Sequence, residues 1–465
     1  MSGMITVDSL KRTLFRFFMV AGILSIGYDP TATAQSGLPS RAPDAATLFE
    51  NVRIFDGRNA ALSASSHVLV RGNAVERIST APIDVRSDPD VQVIAAGGRV
   101  LMPGLIDMHW HAMMVRPTPM VLLSSGIGYS NLLAGVEATA TLMRGFTTIR
   151  DLGGPSFDLK RAIDEGLLPG PRIYPSGAVI TITSGHGDFR QLSDLPRTIG
   201  GMLARVEQLG GSMIADSPDE VRLRVREQLM QGASQIKLTA GGGVASPFSP
   251  LDVSTFTEAE LRAAVEAAEN WGTYVCTHAY TPASIQRSIA AGVRCIEHGH
   301  LMDEPTARLM AEKGIWLSTQ PFLDLNAASG LGPAEQAKLA QVITGTDSIY
   351  ALARKYGIRT AFGTDILFSE ALAKRQGAML ATLTRWYTPA EALVMATSTN
   401  AELLQLSGLR NPYPGKLGIV EEGALADLLL VDGNPLENLD LVADPDRNFL
   451  VIMKDGRIYK NALPK

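Results

Sequence analysis

The sequence predicts an α/β fold in which a (β/α)8 barrel is accompanied by a small β-sandwich domain built from both ends of the chain. Three observations lead to this prediction. Both ends carry short segments of alternating apolar and polar residues between glycine-rich turns, which is typical of antiparallel strands. The middle alternates short apolar segments with amphipathic helices. The chain has 465 residues, and one such barrel needs only about 250, so there is room for a second domain.

The first 34 residues are predicted to be a secretory signal peptide. Lys11, Arg12 and Arg16 precede FFMVAGILSIGY, an apolar segment of 12 residues, and TATAQ then offers a cleavage site after Ala34. A bilayer span needs about 20 apolar residues, so a membrane anchor is disfavoured. We therefore expect an exported protein, periplasmic or secreted, with no membrane partner after cleavage and a linker over 35–46.

The predicted β domain combines residues 47–103 with residues 406–465. TLFENVRIFDG, SSHVLVRGNAVERIS and VQVIAAGGRVLMPG alternate apolar and polar positions near the start of the chain. ADLLLVDGNP and FLVIMKDGRIYKN do the same near its end, with Asp-Gly turns. Because both ends have the same pattern and flank a different middle, they are predicted to assemble into one domain.

Residues 104–405 are predicted to form the TIM-type barrel. Two of its helices have clear end signals, one from Ser217 to a stop at Gly232 and one from Thr257 to a stop at Gly272. Eight strand candidates occur in order, which is the count a (β/α)8 barrel requires. They are GLIDMHWH, FTTIRDLG, RIYPSG, SQIKLTA, TYVCTHAY, VRCIEHG, IWLSTQ and IRTAFGTD.

Composition narrows the class of partner. The net charge is −5, with 42 Lys and Arg against 47 Asp and Glu, so nothing favours nucleic acid or an anionic membrane surface. With 46% hydrophobic residues the chain can bury a large core. A globular protein that acts on small molecules is the expectation.

Polar residues lie at the ends of several predicted barrel strands. His109 and His111 are two apart in the first strand, so both project to one side and could grip one metal ion. Such a pair alone fits two surface histidines equally well. Lys237 is flanked by apolar residues, where a buried ammonium is costly unless it is paired or modified. Strand ends converge on one site in such a barrel, and later strands contribute His278, His298 and Asp365.

These motifs resemble the metal-dependent amidohydrolase superfamily, because PGLIDMHWH, IKLTAGGG, THAYT, IEHG and FGTD occur in the same order. The resemblance implies two divalent metals, with zinc the expected identity. It also implies that Lys237 is carbamylated and bridges them. His109, His111 and Asp365 would hold one metal, and His278 and His298 the other.

The implied chemistry is hydrolysis of an amide or a related bond. Carbamylation would turn the ammonium of Lys237 into an anionic oxygen ligand for two cations. Two metals lower the pKa of a shared water, and one can polarise the scissile carbonyl. Asp365 would accept a proton from the water and return it to the leaving amine, first as general base and then as general acid.

TSGHGDFR and KLTAGGGVASP further resemble a branch of zinc dipeptidases and carboxypeptidases that includes amidohydrolases acting on ochratoxin A. The branch implies a small-molecule amide substrate with a free carboxylate, and a homo-oligomer. A lactonase or cyclic-amide hydrolase on the same scaffold stays open. Lys237 argues against a mononuclear deaminase. A non-catalytic binding protein is disfavoured because all six ligand positions are filled.

Substrate contacts are predicted at Tyr280 and His186. Tyr280 follows His278 by two positions, so its hydroxyl could bind a carboxylate; the alternative is an aromatic ring that fills the barrel mouth. His186 lies in a glycine-flanked loop, where an ordinary loop histidine is the alternative. For Arg150 and Asp151 a structural role, such as pairing with each other, is favoured over substrate contact.

The two cysteines are predicted to be free and buried. Cys276 should point inward beneath the metals, because it is two residues before His278. Cys295 should point outward, because it is three before His298. Side chains on opposite faces of adjacent strands cannot form a disulfide.

Overall fold

A computed structural model describes residues 45–463 except 87, 89, 193, 195–201 and 325–330. The predicted signal peptide lies outside the described residues, as does all but the last part of the predicted linker. Within the described residues, no helix combines the length and the apolar character needed to cross a membrane.

The strands fall into two groups, one at the ends of the chain and one in its middle. The strands are β1 (Ala46–Ile54), β2 (Ser66–Arg71), β3 (Ala74–Ser79), β4 (Val91–Ala95), β5 (Val100–Pro103), β6 (Leu105–Trp110), β7 (Phe146–Asp151), β8 (Arg172–Pro175), β9 (Val179–Thr181), β10 (Ser212–Ile214), β11 (Ile236–Thr239), β12 (Val275–Ala279), β13 (Cys295–His298), β14 (Trp316–Thr319), β15 (Thr360–Phe362), β16 (Leu428–Val431), β17 (Phe449–Lys454) and β18 (Arg457–Asn461).

The helices follow most of the middle strands. They are α1 (Pro119–Ser124), α2 (Ile127–Met143), α3 (Phe157–Asp164), α4 (Arg205–Gln208), α5 (Pro218–Gln231), α6 (Glu258–Glu269), α7 (Pro282–Ala290), α8 (Glu304–Lys313), α9 (Pro333–Tyr356), α10 (Glu370–Ala373), α11 (Gln376–Ala381), α12 (Pro389–Val394), α13 (Asn400–Leu404) and α14 (Pro445–Asn448), with short 3₁₀ or π segments at Thr382–Arg385, Met395–Thr399, Gln405–Arg410 and Leu439–Ala443.

Strands from both ends of the chain share one sheet. Its hydrogen-bonding order is β18-β17-β16-β5-β1-β2-β3, with β4 beside β1. The junction is the antiparallel pair of β5 and β16, in which Pro103 lies opposite Leu428. Alternate positions bury a core that includes Phe49, Val68 and Leu430. The domain boundaries and the sandwich arrangement stay predictions.

All eight strands predicted for the middle of the chain are present, as β6, β7, β8 and β11 to β15. Together with two further strands, β9 and β10, they form two parallel sheets. One has three strands, β6-β7-β8, and the other has seven, β10-β9-β11-β12-β13-β14-β15. β9 and β10 were not predicted. Each has three residues, which is too short to show a hydrophobic period.

Hydrogen bonds connect the two parallel sheets at both sides. Asn400 Nδ2 donates to Ile106 O at 2.7 Å and to Phe362 O at 2.9 Å, which ties β6 to β15. Ser234 N donates to Pro175 O at 2.8 Å, which ties β8 to the start of β11. Near the carboxyl ends of the same two strands, Asp365 N donates to His109 O at 2.7 Å, so these ends lie side by side.

The predicted helix ends agree closely with the structure. Ser217 accepts a hydrogen bond from Glu220 N before α5, and Gly232 ends it at φ 103°, as predicted. Thr257 forms a capping box with Glu260 at the start of α6. That helix ends at Glu269, earlier than the predicted stop, and Gly272 follows at φ 70°.

Both cysteines are free and buried, as predicted, but the predicted direction of Cys295 is wrong. Its thiol lies 3.2 Å from Glu297 Oε1, and it packs in the same interior cluster as Cys276, its register partner on β12. The prediction counted back from His298 by strand alternation. His298 has φ 77°, so it leaves the alternation, and Glu297 shares the face of Cys295 instead.

Candidate metal centre

Three predicted ligands meet where β6, β13 and β15 end. His109 Nε2 lies 3.4 Å from Asp365 Oδ1, and His298 Nδ1 lies 3.9 Å from Asp365 Oδ2. One ligand atom from each of these residues lies within 4.8 Å of those of the other two. Two imidazoles and a carboxylate at this spacing could hold a metal ion.

The other three predicted ligands adjoin this group. His111 Nε2 is 3.1 Å from Asp365 Oδ1, and Lys237 Nζ is 3.4 Å from His109 Nε2. The rings of His278 and His298 have centroids 4.4 Å apart. The six residues therefore form one cluster, while their roles as ligands stay predictions.

Two members of the cluster have left-handed backbone conformations. His298 has φ 77° and Asp365 has φ 52°. Residues other than glycine rarely adopt such values, and they persist where the surrounding structure holds them. Asp365 N donates to His109 O at 2.7 Å, which fixes this turn against β6. The turn brings the carboxylate towards the histidines.

A buried carboxylate orients His109. Glu297 Oε2 lies 2.9 Å from His109 Nδ1, and Glu297 Oε1 accepts from Arg150 Nη2 at 2.7 Å. Both Glu297 and Arg150 are fully buried. Because an ionised carboxylate only accepts hydrogen bonds, Nδ1 donates and Nε2 keeps its lone pair towards Asp365 and Lys237. Metal-binding histidines are commonly oriented in this way.

Sequence reasoning missed Glu297. The available signal was that Cys295 and Glu297 are two residues apart on β13, which places a carboxylate on the same interior face as the thiol.

Arg150 and Asp151 do not pair with each other. Arg150 donates to Met108 O and Tyr274 Oη, at 2.7 and 3.0 Å, in addition to its bond to Glu297. Asp151 accepts from Ser156 Oγ at 2.6 Å and Ala112 N at 2.7 Å.

His278 and His298 are oriented by neutral groups instead. His278 Nε2 is 2.8 Å from Gly242 O, and a carbonyl only accepts, so Nε2 donates and Nδ1 keeps its lone pair. His298 Nδ1 is 2.7 Å from Gln320 Oε1, which leaves Nε2 free in the same way. Gln320 is a second residue that the sequence prediction missed.

Burial keeps these imidazoles neutral. It lowers the pKa of His109, His278 and His298 well below the ordinary value, and the positive charge of Lys237 acts in the same direction. A neutral imidazole has a lone pair for a metal, whereas an imidazolium has none. Nδ1 of His111 is buried without a hydrogen-bond partner in the described part of the chain. The donor set therefore fits a divalent metal that accepts nitrogen and oxygen ligands.

Asp107 holds the two strand ends that carry His109 and Asp365. Its carboxylate accepts from His109 N at 3.0 Å, from Thr364 Oγ1 at 2.6 Å and from Gln376 Nε2 at 2.9 Å. Burial raises the pKa of Asp107 to about 6. This residue bridges β6 to the segment after β15, so it sets the relative position of the two predicted ligands.

The two predicted substrate contacts adjoin the histidines. The ring centroid of Tyr280 is 4.8 Å from that of His278 and 5.1 Å from that of His298. The ring of His186 is 4.3 Å from that of His278, and its Nδ1 is 2.8 Å from Ser246 Oγ. Burial lowers the pKa of His186 to about 3. Both residues border the cluster, and their substrate roles stay predictions.

Comparisons with known proteins identify the family of this chain. The sequence profile of the amidohydrolase family matches residues 100–459. The chain belongs to the amidohydrolase family. Ochratoxinase of Aspergillus niger is 33% identical over 379 residues, which are 78% of this chain and 76% of that protein.

Solved amidohydrolase structures have a similar fold, of the TIM-barrel type. The crystal structure of an amidohydrolase matches with a TM-score of 0.82 and 37% identity, over 90% of this chain and 100% of that one. A prolidase complexed with N-methylphosphonate-L-proline matches with the same TM-score, 33% identity and the same coverage. The chain described here is therefore a hydrolase. Dependence on a divalent metal fits its family and its group of His109, His298 and Asp365.

Proposed function

We propose that this chain is a binuclear metal-dependent amidohydrolase that releases a C-terminal amino acid from peptides or N-acyl amino acids, with ochratoxin A as a candidate substrate. The observation that supports this proposal best is the single cluster of four histidines, Lys237 and Asp365. The similarity to an ochratoxinase and to a prolidase supports amide substrates that end in a free carboxylate.

The proposed ligand sets follow the two halves of the cluster. His109, His111 and Asp365 would hold one zinc ion, and His278 and His298 the other. Lys237 would bridge them as a carbamate. In its support, Lys237 is buried and its Nζ contacts His109 Nε2 at 3.4 Å, while no salt bridge of Lys237 occurs within the described residues. A buried ammonium without an ion pair is unfavourable, so conversion to an anion would remove that cost.

The metals, when bound, supply Lewis-acid activation of a water and of the scissile carbonyl. The chain's own residues supply the proton path and the binding of substrate. The carboxylate of Asp365 would accept a proton from the attacking water and return it to the leaving nitrogen. The hydroxyl of Tyr280 would donate to the substrate carboxylate, and His186 would contact the substrate beside it.

We further propose that the eight predicted strands, β6, β7, β8 and β11 to β15, close into a (β/α)8 barrel, since hydrogen bonds tie β15 to β6 and β8 to β11. Residues 1–34 would direct export to the periplasm or the medium, because they have a basic segment, an apolar segment and a cleavage site. Assembly as a homo-oligomer stays a proposal from the family resemblance.

The test combines metal analysis with a substrate screen. The purified protein would be assayed for bound metal and against N-acyl amino acids, dipeptides, ochratoxin A, lactones and carboxyl-methylated versions of the amides. We expect about two metals per chain and hydrolysis only of amides with a free carboxylate. Lactone turnover without amide cleavage, or equal rates on the methylated amides, would contradict the proposal.

The variant Lys237→Ala should bind less metal than the wild type. Full metal occupancy in this variant would contradict the proposed bridging role of Lys237.

A further inference from the structure

The loop between β11 and α6 contacts His278 of the candidate centre and His186, which borders the centre. Gly242 O lies 2.8 Å from His278 Nε2. Four residues later, Ser246 Oγ lies 2.8 Å from His186 Nδ1 and accepts from Gly187 N at 3.0 Å. Ser246 lies within residues 243–249 (the 243–249 segment) and Gly242 directly precedes them, so the conformation of this segment bears on the orientation of both imidazoles.

One side chain from α9 holds this segment. Lys338 Nζ donates to Gly243 O at 3.3 Å, to Ser246 O at 2.7 Å and to Ser249 O at 2.9 Å. An ammonium has three N–H donors and no acceptor, so three carbonyls use its full capacity. Lys338 is half-buried, and burial lowers its pKa. Hydrogen bonds to a charged donor are stronger than neutral ones.

The segment has little room to shift without moving His186. A Cβ atom at Gly243 would lie 2.1 Å from His186 Nδ1, and one at Gly242 would lie 1.6 Å from Pro250 O. Ser184 Oγ also donates to Phe248 O at 2.9 Å, which ties the segment to the loop that carries His186. A displacement of the segment would therefore be transmitted to the imidazole.

We propose that Lys338 is a positioning residue for the candidate centre. Its ammonium fixes the 243–249 segment, and the segment in turn sets His278 and His186. A lysine suits this task because its tetrahedral donors can reach three carbonyls of one turn. The planar guanidinium of an arginine has a different donor geometry. The effect on zinc binding rests on the proposed function, while the effect on the segment does not.

The test compares Lys338→Met, which keeps the apolar stem and removes the donors, with the wild type. The control is Lys374→Met, because Lys374 is 70% exposed and pairs only with Glu370 among the described residues. Amide hydrogen exchange would be followed in peptides that cover residues 240–255. Zinc binding to metal-free protein would be measured by titration, as a second readout that does not require turnover.

For Lys338→Met we expect at least tenfold faster exchange within 243–249 and zinc binding weakened about tenfold, the lower end of the range for lost outer-shell partners. The control should match the wild type in both. Lys338→Ala should recover slow exchange and zinc affinity when n-propylammonium is added. Unchanged exchange and zinc affinity in Lys338→Met would overturn the proposal, even if the wild type hydrolyses no amide.

If Lys338→Met does not fold, Lys338→Arg replaces it. This variant keeps the positive charge but changes the donor geometry, so we expect exchange in 243–249 between the values for the wild type and an unanchored loop. Exchange identical to that of the wild type in Lys338→Arg would show that charge alone suffices and would overturn the donor-matching argument.

Discussion

His109 and His278 are oriented in different ways, although they belong to one cluster. His109 is oriented by the carboxylate of Glu297, which is itself paired with Arg150. All three residues lie on strands and are buried. His278 is oriented by a backbone carbonyl, Gly242 O, on a loop that is held by hydrogen bonds from Lys338. Strands open less readily than loops. The His109 half should therefore be rigid and intolerant of change, and the His278 half adjustable.

Asp365→Asn should have the largest effect, since Asp365 lies against His109, His111 and His298 and so joins both halves. An amide cannot accept the proton, so we expect amide hydrolysis to slow by about 10²–10⁴-fold. Steady-state kinetics would measure kcat and KM. Asp347→Asn, which removes an exposed carboxylate paired with Arg385, is the control. Activity within threefold of the wild type would exclude Asp365 as the proton carrier.

Glu297→Gln tests the rigid half. It leaves Arg150 buried without its counter-charge, so we expect unfolding free energy to fall by about 3–5 kcal/mol. It also removes the carboxylate that fixes the His109 tautomer, so zinc affinity should fall by about 10–100-fold. Urea unfolding and zinc titration would measure the two effects. Wild-type affinity in a folded variant would show that the tautomer is set by another group.

The double variant Glu297→Met with Arg150→Met separates these two effects. Removing both charges avoids the uncompensated guanidinium, so stability should recover in part relative to Glu297→Gln. Zinc affinity should stay low because no carboxylate faces His109 Nδ1. Recovery of affinity together with stability would mean that Glu297 acts only through folding.

Asp151 is expected to make the unfolding free energy of the protein depend on pH. Burial raises the pKa of Asp151 from the ordinary value of 3.8 to about 6, so the folded state favours the protonated form. The resulting stabilisation is present below about pH 4 and is lost as the pH rises through about 6. It amounts to about 3 kcal/mol. In Asp151→Asn this contribution is absent, so the stability difference between wild type and variant should shift by most of that amount in favour of the wild type from pH 7 to pH 4. A constant difference over this range would refute the assignment.

Ser246→Ala should have the smallest effect, on the adjustable half. It removes the hydrogen bond to His186 Nδ1, and such a neutral bond contributes about 1 kcal/mol. We expect KM to rise about fivefold with little change in kcat, because His186 is proposed to contact substrate and not to transfer protons. A fall in kcat with constant KM would instead place His186 in the chemical step.

The sequence predicted what depends on local pattern. The eight middle strands and the helix starts at Ser217 and Thr257 follow from hydrophobic period and capping. The proximity of the six cluster residues follows from strand ends that meet at one edge. Glu297 and Lys338 were missed because their importance depends on partners far along the chain, namely His109 and the carbonyls of 243–249. The direction of Cys295 was mispredicted because alternation cannot detect the left-handed turn at His298.

The pairing of β5 with β16 has a consequence for how the chain folds. These strands are more than 300 residues apart in sequence, and closing so long a loop costs about 5 kcal/mol of chain entropy. The cost must be met before the pairing contributes any stability. Nascent chains that lack residues after 427 would have an unpaired β5 edge, and such edges promote aggregation. Formation of the β5–β16 pair should therefore follow synthesis of β16, and until then the exposed edge of β5 has to be kept away from other chains.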